Sequence, residues 1–147
     1  MKSLVIYDST YGNTEKIAQA IAAALPDEAK AVRSKDAGIA ELASTDLLIL
    51  GAPTNGGRPT PEMLKFLQKL TKSNVGGKKA ASFDTRISAR WVGIFGYAAG
   101  KIAKRLQKQG ASLVADPEPF FVQGTEGPLK DGEEERAAAW AKELAGK

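Results

Sequence analysis

The sequence predicts an α/β fold in which a five-stranded parallel sheet lies between two layers of helices, a three-layer sandwich. Short apolar runs alternate with helical patterns five times along the chain, the pattern of a parallel sheet joined by crossover helices. The runs Leu4-Val5-Ile6-Tyr7 and, within residues 46–51, Leu47-Leu48-Ile49-Leu50 are continuously apolar, as strands covered on both faces require. Segments dense in Gly, Pro, Ser, Thr and Asn follow both runs. They fall at the carboxyl ends of strands, where open α/β sheets bind ligands. The 147 residues, 43% of them hydrophobic, suit one domain with a substantial core. No linker or internal repeat interrupts residues 1–147, which are read as a single domain.

Each element follows from local signals. Residues 3–7 form the first strand. Ile17, Ile21 and Leu25 step by four with Ala18, Ala22 and Ala24 between them, a core-facing helical stripe. It begins near Thr14, on the plainest reading its N-cap, and stops at Pro26. Residues 29–33 make a shorter, more polar strand at an edge. A brief helix over 39–43 leads to the central strand, 46–51. Thr60 caps the next helix, with Pro61 at its first position and Glu62 behind it. Leu64, Phe66, Leu67 and Leu70 are expected on its buried side, with Asn74, Gly76 and Gly77 ending it.

Residues 78–85 are the fourth strand, followed by an unusually apolar loop from Arg86 to Gly96. The helix over 97–109 turns Ile102, Ala103 and Leu106 inward and Lys101, Lys104, Arg105 and Lys108 outward, and Gly110 stops it. The fifth strand covers 112–115 and resumes at 120–122, beyond Pro117 and Pro119. Asp131 is the expected cap of the last helix. Glu133, Glu134 and Glu135 fill its first turn, and Ala137, Trp140, Ala141 and Leu144 pack it down.

Composition narrows the chemistry. The chain has no cysteine and no histidine. Disulfides, thiolate nucleophiles, zinc sites and imidazole acid–base catalysis are excluded, so redox chemistry must come from a bound cofactor. No apolar run reaches the roughly 18 residues of a membrane span, and the short apolar segment after Lys2, followed by polar loop residues, is not expected to be a secretory signal. A cysteine-free chain fits the cytoplasm. The net charge of +4 is spread along the sequence, and no aromatic-interleaved basic motif for nucleic acid is present. Nothing demands more than a monomer.

Three loops carry more polar and turn residues than a connection needs: residues 9–14, 53–58 and 84–91. Ser9-Thr10-Tyr11-Gly12-Asn13-Thr14 stands between a strand and a helix start. A helix N-terminus has free N–H groups and a partial positive charge. A phosphate can therefore rest there, held by amides and by the hydroxyls of Ser9, Thr10 and Thr14. Gly12 supplies close approach or positive φ. The segment is neither a Walker loop nor a GxGxxG fingerprint. Pro53, Thr54, Asn55, Gly56 and Gly57 form the second loop, whose adjacent glycines can reorient a peptide at small cost. The third offers Trp91, which either stacks on a flat ring or packs under its own loop. One phosphate and one planar heterocycle describe flavin mononucleotide (FMN).

The segment Ser9–Thr14 resembles the phosphate loop of flavodoxins, commonly written S/T-x-T-G-x-T, with Tyr11 in place of the usual Thr or Ser. The likeness extends to the Gly51–Gly57 loop, the Gly77–Thr85 strand and Gly110 before strand five, and so to nearly the whole chain. It implies a short-chain flavodoxin-like domain with strand order 2-1-3-4-5 and non-covalent FMN. By this resemblance Ser9, Thr10, Gly12, Asn13 and Thr14 bind the phosphate, with Tyr11 inside the same loop. Asn55, Gly56 and Gly57 flank the flavin ring, where flavodoxins use a backbone carbonyl that flips on reduction. Thr85 and Arg86 match the second ring loop. Asn55 stands where an aromatic is usual, and Trp91 is the nearest candidate for the usual Tyr of the second loop. Tyr97 is read as a packing residue at a helix start.

The implied function is one-electron transfer through FMN, with no catalytic residue and no metal. The resemblance points to an electron carrier more than to an enzyme with its own substrate. Redox partner proteins are implied; the basic balance, unlike the acidic one usual in flavodoxins, points to acidic partners, with Lys101, Lys104, Arg105 and Lys108 either a docking row or a solvated face. Arg58, Arg86 and Arg90, near the ring loops, are expected to favour the anionic reduced flavin by on the order of 1 kcal/mol each. Two alternatives stay open: a small FMN-dependent NAD(P)H or quinone reductase, and a flavodoxin-fold interaction module without FMN.

Overall fold

The computed structural model describes residues 1–88 and 97–147. Its strands are β1 (Lys2–Tyr7), β2 (Glu28–Arg33), β3 (Leu47–Pro53), β4 (Lys79–Ile87), β5 (Ser112–Leu113) and β6 (Glu118–Val122). The order is β2-β1-β3-β4-β5, and every pairing is parallel. β5 pairs with the start of β4, Ala80 opposite Leu113, and β6 with its end, from Phe83 opposite Glu118 to Ile87 opposite Val122. The two lengths occupy the fifth place in the sheet. β6 includes Pro119, ahead of the predicted resumption at residue 120. An edge strand tolerates the missing N–H.

The helices are α1 (Asn13–Ala24), α2 (Pro61–Gln68), the single turn α3 (Lys72–Val75), α4 (Ala98–Lys108) and α5 (Glu133–Ala145); a 3₁₀ segment covers Ile39–Ser44. Successive side chains of a strand point to opposite faces, so the sheet separates two cores. Leu4, Ile6, Leu48 and Leu50 meet Met63, Phe66 and Leu67 of α2 and Ile102 and Leu106 of α4. Val5, Tyr7, Leu47 and Ile49 meet Ile17, Ala18 and Ile21 of α1 and Ala137, Trp140, Ala141 and Leu144 of α5. Phe83, Phe120 and Trp140 form a mutual edge-to-face cluster with centroids 5.8–6.2 Å apart. A Cβ on Gly51 would lie 2.1 Å from the Phe83 ring, so the central strand needs its glycine.

Several local expectations are corrected. Leu64 is 39% exposed; α2 spends its buried face on Met63, Phe66 and Leu67, one step round the helix from Leu64. α2 ends at Gln68, with Lys69 as its C-cap, and Thr71 caps α3 with a reciprocal capping box to Asn74. Thr60 does cap α2, accepting from Met63 N at 3.3 Å. The last helix is not capped by Asp131: Gly132 stands at the N-cap with φ 85°. Glu133 instead accepts from the Phe121 amide at 2.7 Å and pairs with Arg136. Arg105 is not part of an outer basic row. Its Nε and Nη2 donate to the carbonyls of Leu67 and Leu70, both at 3.0 Å, which ties α4 to the end of α2 and the turn that follows it.

Candidate functional site

A cleft of about 320 Å³ opens at the carboxyl ends of β1, β3 and β4. α1 leaves β1 toward one face and α2 leaves β3 toward the other, so the cleft sits at the point where the chain's winding reverses. Ser9, Thr10, Tyr11, Asn13 and Thr14 line one wall, Pro53 to Gly57 the second, and Thr85, Arg86 and Ile87 the third; Val122 and Thr125 complete it.

The first wall turns on Gly12, at φ 92° and ψ −6°, a conformation costly for any residue with a Cβ. The turn is closed by the Gly12 amide, which donates to Ser9 Oγ at 3.0 Å. Gly12 is also the N-cap of α1, correcting the reading of Thr14 as cap. No side chain caps this helix, and its first intrahelical bond runs from Lys16 N to Gly12 O. The amides of Asn13, Thr14 and Glu15 therefore have no intrahelical acceptor, at a site where the helix dipole favours negative charge. Tyr11 stands at the rim, 54% exposed.

Two side chains of this loop are committed to holding it. Thr14 Oγ1 lies 2.8 Å from Thr85 Oγ1, a buried hydroxyl pair tying the first wall to the third. Asn13 Nδ2 donates to Glu126 O at 3.2 Å. Gly127, at φ 104°, packs so closely on Asn13 that a Cβ there would sit 2.6 Å from its Oδ1. Beneath the loop Arg33 donates to Ser9 O at 3.1 Å and pairs with Asp8 and Glu15. Burial, reinforced by the hydrogen bond to Glu15, raises the Tyr7 hydroxyl above its ordinary pKa.

The second wall is a two-residue hairpin. Asn55 and Arg58 exchange both backbone hydrogen bonds, 2.8 and 3.0 Å. Gly56 and Gly57 between them have φ of 56° and 80°, the pair of positive values that defines a type I′ turn. Thr54 N donates to Thr85 O at 3.0 Å, joining this wall to the third. Arg58 is exposed and is not part of the lining.

At the third wall Asp84 is wholly buried and Arg86 is only 12% exposed. Arg86 grips both oxygens of Asp84, Nε to Oδ1 at 2.8 Å and Nη2 to Oδ2 at 2.7 Å. The guanidinium carbon lies 3.3 Å from the centroid of the Tyr97 ring. Tyr97 is the N-cap of α4, the helix-start role expected of it. Asp84 Oδ2 also accepts from Thr54 Oγ1 at 3.2 Å and from Ala99 N at 3.0 Å.

Of the residues singled out from the sequence, the three loops from Ser9 to Arg86 converge on this one cleft. Trp91 and Arg90 lie outside the described residues. Ile87, Val122 and Thr125 line the cleft without having been anticipated. Thr125 had a signal: Gly124-Thr125-Glu126-Gly127-Pro128 is a further turn-rich segment at the carboxyl end of a strand.

A family model described as Flavodoxin matches residues 5–140. A flavodoxin of Clostridium beijerinckii is 30% identical over 126 residues, 81% of this chain and 84% of its own. A flavodoxin of Maridesulfovibrio salexigens is 28% identical, covering 99% of this chain and 98% of its own. The crystal structure of oxidised Flavodoxin 2 from Bacillus cereus superposes with a TM-score of 0.84 at 28% identity, covering 99% of each chain.

Proposed function

The chain belongs to the flavodoxin family, and from that premise we propose how its own residues hold FMN and what it meets. It is an FMN-binding electron-transfer protein that works with redox partner proteins. Bound FMN supplies one-electron chemistry. The chain supplies binding, orientation and local charge.

The observation that carries the residue-level reading is the uncapped start of α1 beneath the left-handed Gly12. Ser9, Thr10 and the free amides of Asn13, Thr14 and Glu15 would receive the phosphate, with Gly12 shaping the loop through its bond to Ser9. Thr14, paired to Thr85, would act chiefly by fixing the loop. Tyr11 would border the phosphate from the rim. Pro53 to Gly57, Thr85 and Arg86 would enclose the ring, with Val122 and Thr125 closing the side toward β6. The donor set fits a dianion with no cationic side chain in the phosphate loop, and the cleft volume is within the range of small-cofactor sites. Trp91 is proposed as a further ring contact on the strength of the family resemblance alone.

We propose that the partners are acidic at their docking surface. The net charge of +4 and exposed Lys104 and Lys108 on α4 support this, and electrostatic complementarity chiefly raises association rates. A monomer working in the cytoplasm is the reading we favour. Its support is the cysteine-free sequence and, among the described residues, exposed large apolar side chains limited to the scattered Met1, Tyr11 and Leu64. No helix among the described residues is long and apolar enough to cross a membrane.

The test is an absorbance spectrum of the purified protein before and after adding FMN, with a fluorescence-quenching titration of the apoprotein. Visible flavin bands and saturable quenching at one FMN per chain are expected. A colourless protein that quenches no added FMN would overturn the proposal. A Gly12→Val variant with unchanged FMN affinity and no loss of apoprotein stability would overturn the assignment of the phosphate loop.

A further inference from the structure

We propose that Asp84 and Arg86 form one charge-compensated unit that sets how much more tightly the cleft holds reduced FMN than oxidised FMN. In it Arg86 faces the cofactor and Asp84 is a positioning residue. The inference rests on FMN occupying the cleft. Arg86 lines the cleft; Asp84, two residues earlier on the same face of β4, does not. The wholly buried Asp84 carboxylate takes four donors: two from Arg86, one from Thr54 and one from the Ala99 amide. Thr54 Oγ1 in turn accepts from Ala98 N at 3.0 Å. One carboxylate therefore links the ring loop after β3, the cleft-facing arginine and the first turn of α4, where the helix dipole also favours an anion.

The arrangement has an electrostatic direction. The guanidinium is clamped edge-on by Asp84 and covered on one side by the Tyr97 ring, so it cannot swing out to solvent. The unit shows its positive end to the cleft and keeps its negative end behind the wall. Reduced flavin gains negative charge on its ring at neutral pH, and in a cleft that Arg86 lines and Asp84 does not, that charge would lie nearer Arg86. The pair therefore favours the reduced cofactor, and Asp84 tempers the preference. Neutralising Asp84 alone frees the full charge of Arg86. Neutralising both removes the effect.

The measurement is the dissociation constant of oxidised FMN, by fluorescence, together with the two-electron midpoint potential, for wild type, Asp84→Asn and the double variant Asp84→Asn/Arg86→Gln. Asp84→Asn should raise the preference for reduced over oxidised FMN about tenfold, a rise of about 30 mV for a two-electron couple. The double variant should lower the preference several-fold below wild type. A purely structural role would lower stability in both variants without moving the preference in opposite directions. Shifts of the same sign, or both variants within twofold of wild type, would overturn the inference. Should Asp84→Asn fail to fold, the double variant decides alone, since it buries no unpaired charge: a preference equal to that of wild type refutes the proposal. Wild type that binds no FMN would refute the functional reading before any variant is compared. Wild type that binds FMN, with variants that do not split, refutes only this inference.

Discussion

Gly12 is where the backbone and the ligand make the same demand, and Gly12→Ala should expose it. A Cβ at this position would meet no heavy atom within 4 Å. The cost of the substitution is therefore conformational and not steric. Holding an L-residue at φ 92° costs about 1–2 kcal/mol. If the apoprotein keeps the loop conformation, that cost appears as lost stability. It is partly offset by about 0.4–1 kcal/mol from the reduced entropy of the unfolded chain, leaving a melting shift of only a few degrees. If the loop relaxes to negative φ in the apoprotein, the full cost is met on binding, and FMN affinity falls about 5–30-fold. Gly12→Val, being β-branched, should lose more in the same currency. Urea denaturation of the apoprotein and an FMN titration together account for the whole strain. If FMN affinity matches wild type and the apoprotein gains the unfolded-state stabilisation of about 0.4–1 kcal/mol undiminished, Gly12 does not need its left-handed conformation and the phosphate-loop argument fails.

Thr14→Val strands the buried Thr85 hydroxyl and should cost about 1–3 kcal/mol, whereas adding Thr85→Val should cost far less than a second such loss. Strict additivity in urea midpoints would refute the 2.8 Å pairing. Gly51→Ala drives a Cβ to 2.1 Å from the Phe83 ring and should destabilise the fold by about 1–3 kcal/mol, with a changed near-ultraviolet dichroism from the Phe83–Phe120–Trp140 cluster. A wild-type midpoint would contradict the packing. Glu133 is held below its ordinary pKa of 4.5 by its hydrogen bond from Arg136, backed by the Phe121 amide. A depressed carboxyl stabilises the fold above its unfolded pKa and loses that contribution as pH falls through its folded value. The stability gap between wild type and Glu133→Gln should thus be full at neutral pH and close below about pH 4.5. A gap independent of pH would reject the linkage.

Much of this architecture was legible because its signals are local. Leu47 to Leu50 could only be a strand covered on both faces, and Thr60-Pro61 could only open a helix. The hydroxyl loop after β1 announced an anion site, since its residue types serve no core. What escaped inspection depends on contacts across the chain. Leu64 looks as apolar as Leu67, and only the placement of α2 on the sheet decides which one is covered. Arg105 reads as one more surface cation until the carbonyls of Leu67 and Leu70 come within its reach. Asp131 was displaced as a cap because Gly132 adopts the left-handed turn while Glu133 answers to Phe121. Asp84 and Arg86 were separable in principle: a spacing of two puts both on one face of a strand. Their pairing is nevertheless visible only once Thr54 and the start of α4 are brought alongside.

The fifth place in the sheet is laid in two lengths that do not quite meet. From Ala80 to Phe83 the neighbouring strand advances three residues, while from Leu113 to Glu118 its companion advances five. The surplus surfaces at Asp116 and Pro117, both exposed. Additional chain can be spliced in there at a closure cost of only about 0.6 kcal/mol for each doubling of loop length. The lower length would keep its registration at the base of the sheet and the upper one its place beside the cofactor, which makes this seam the natural mounting point for a reporter or a fused module.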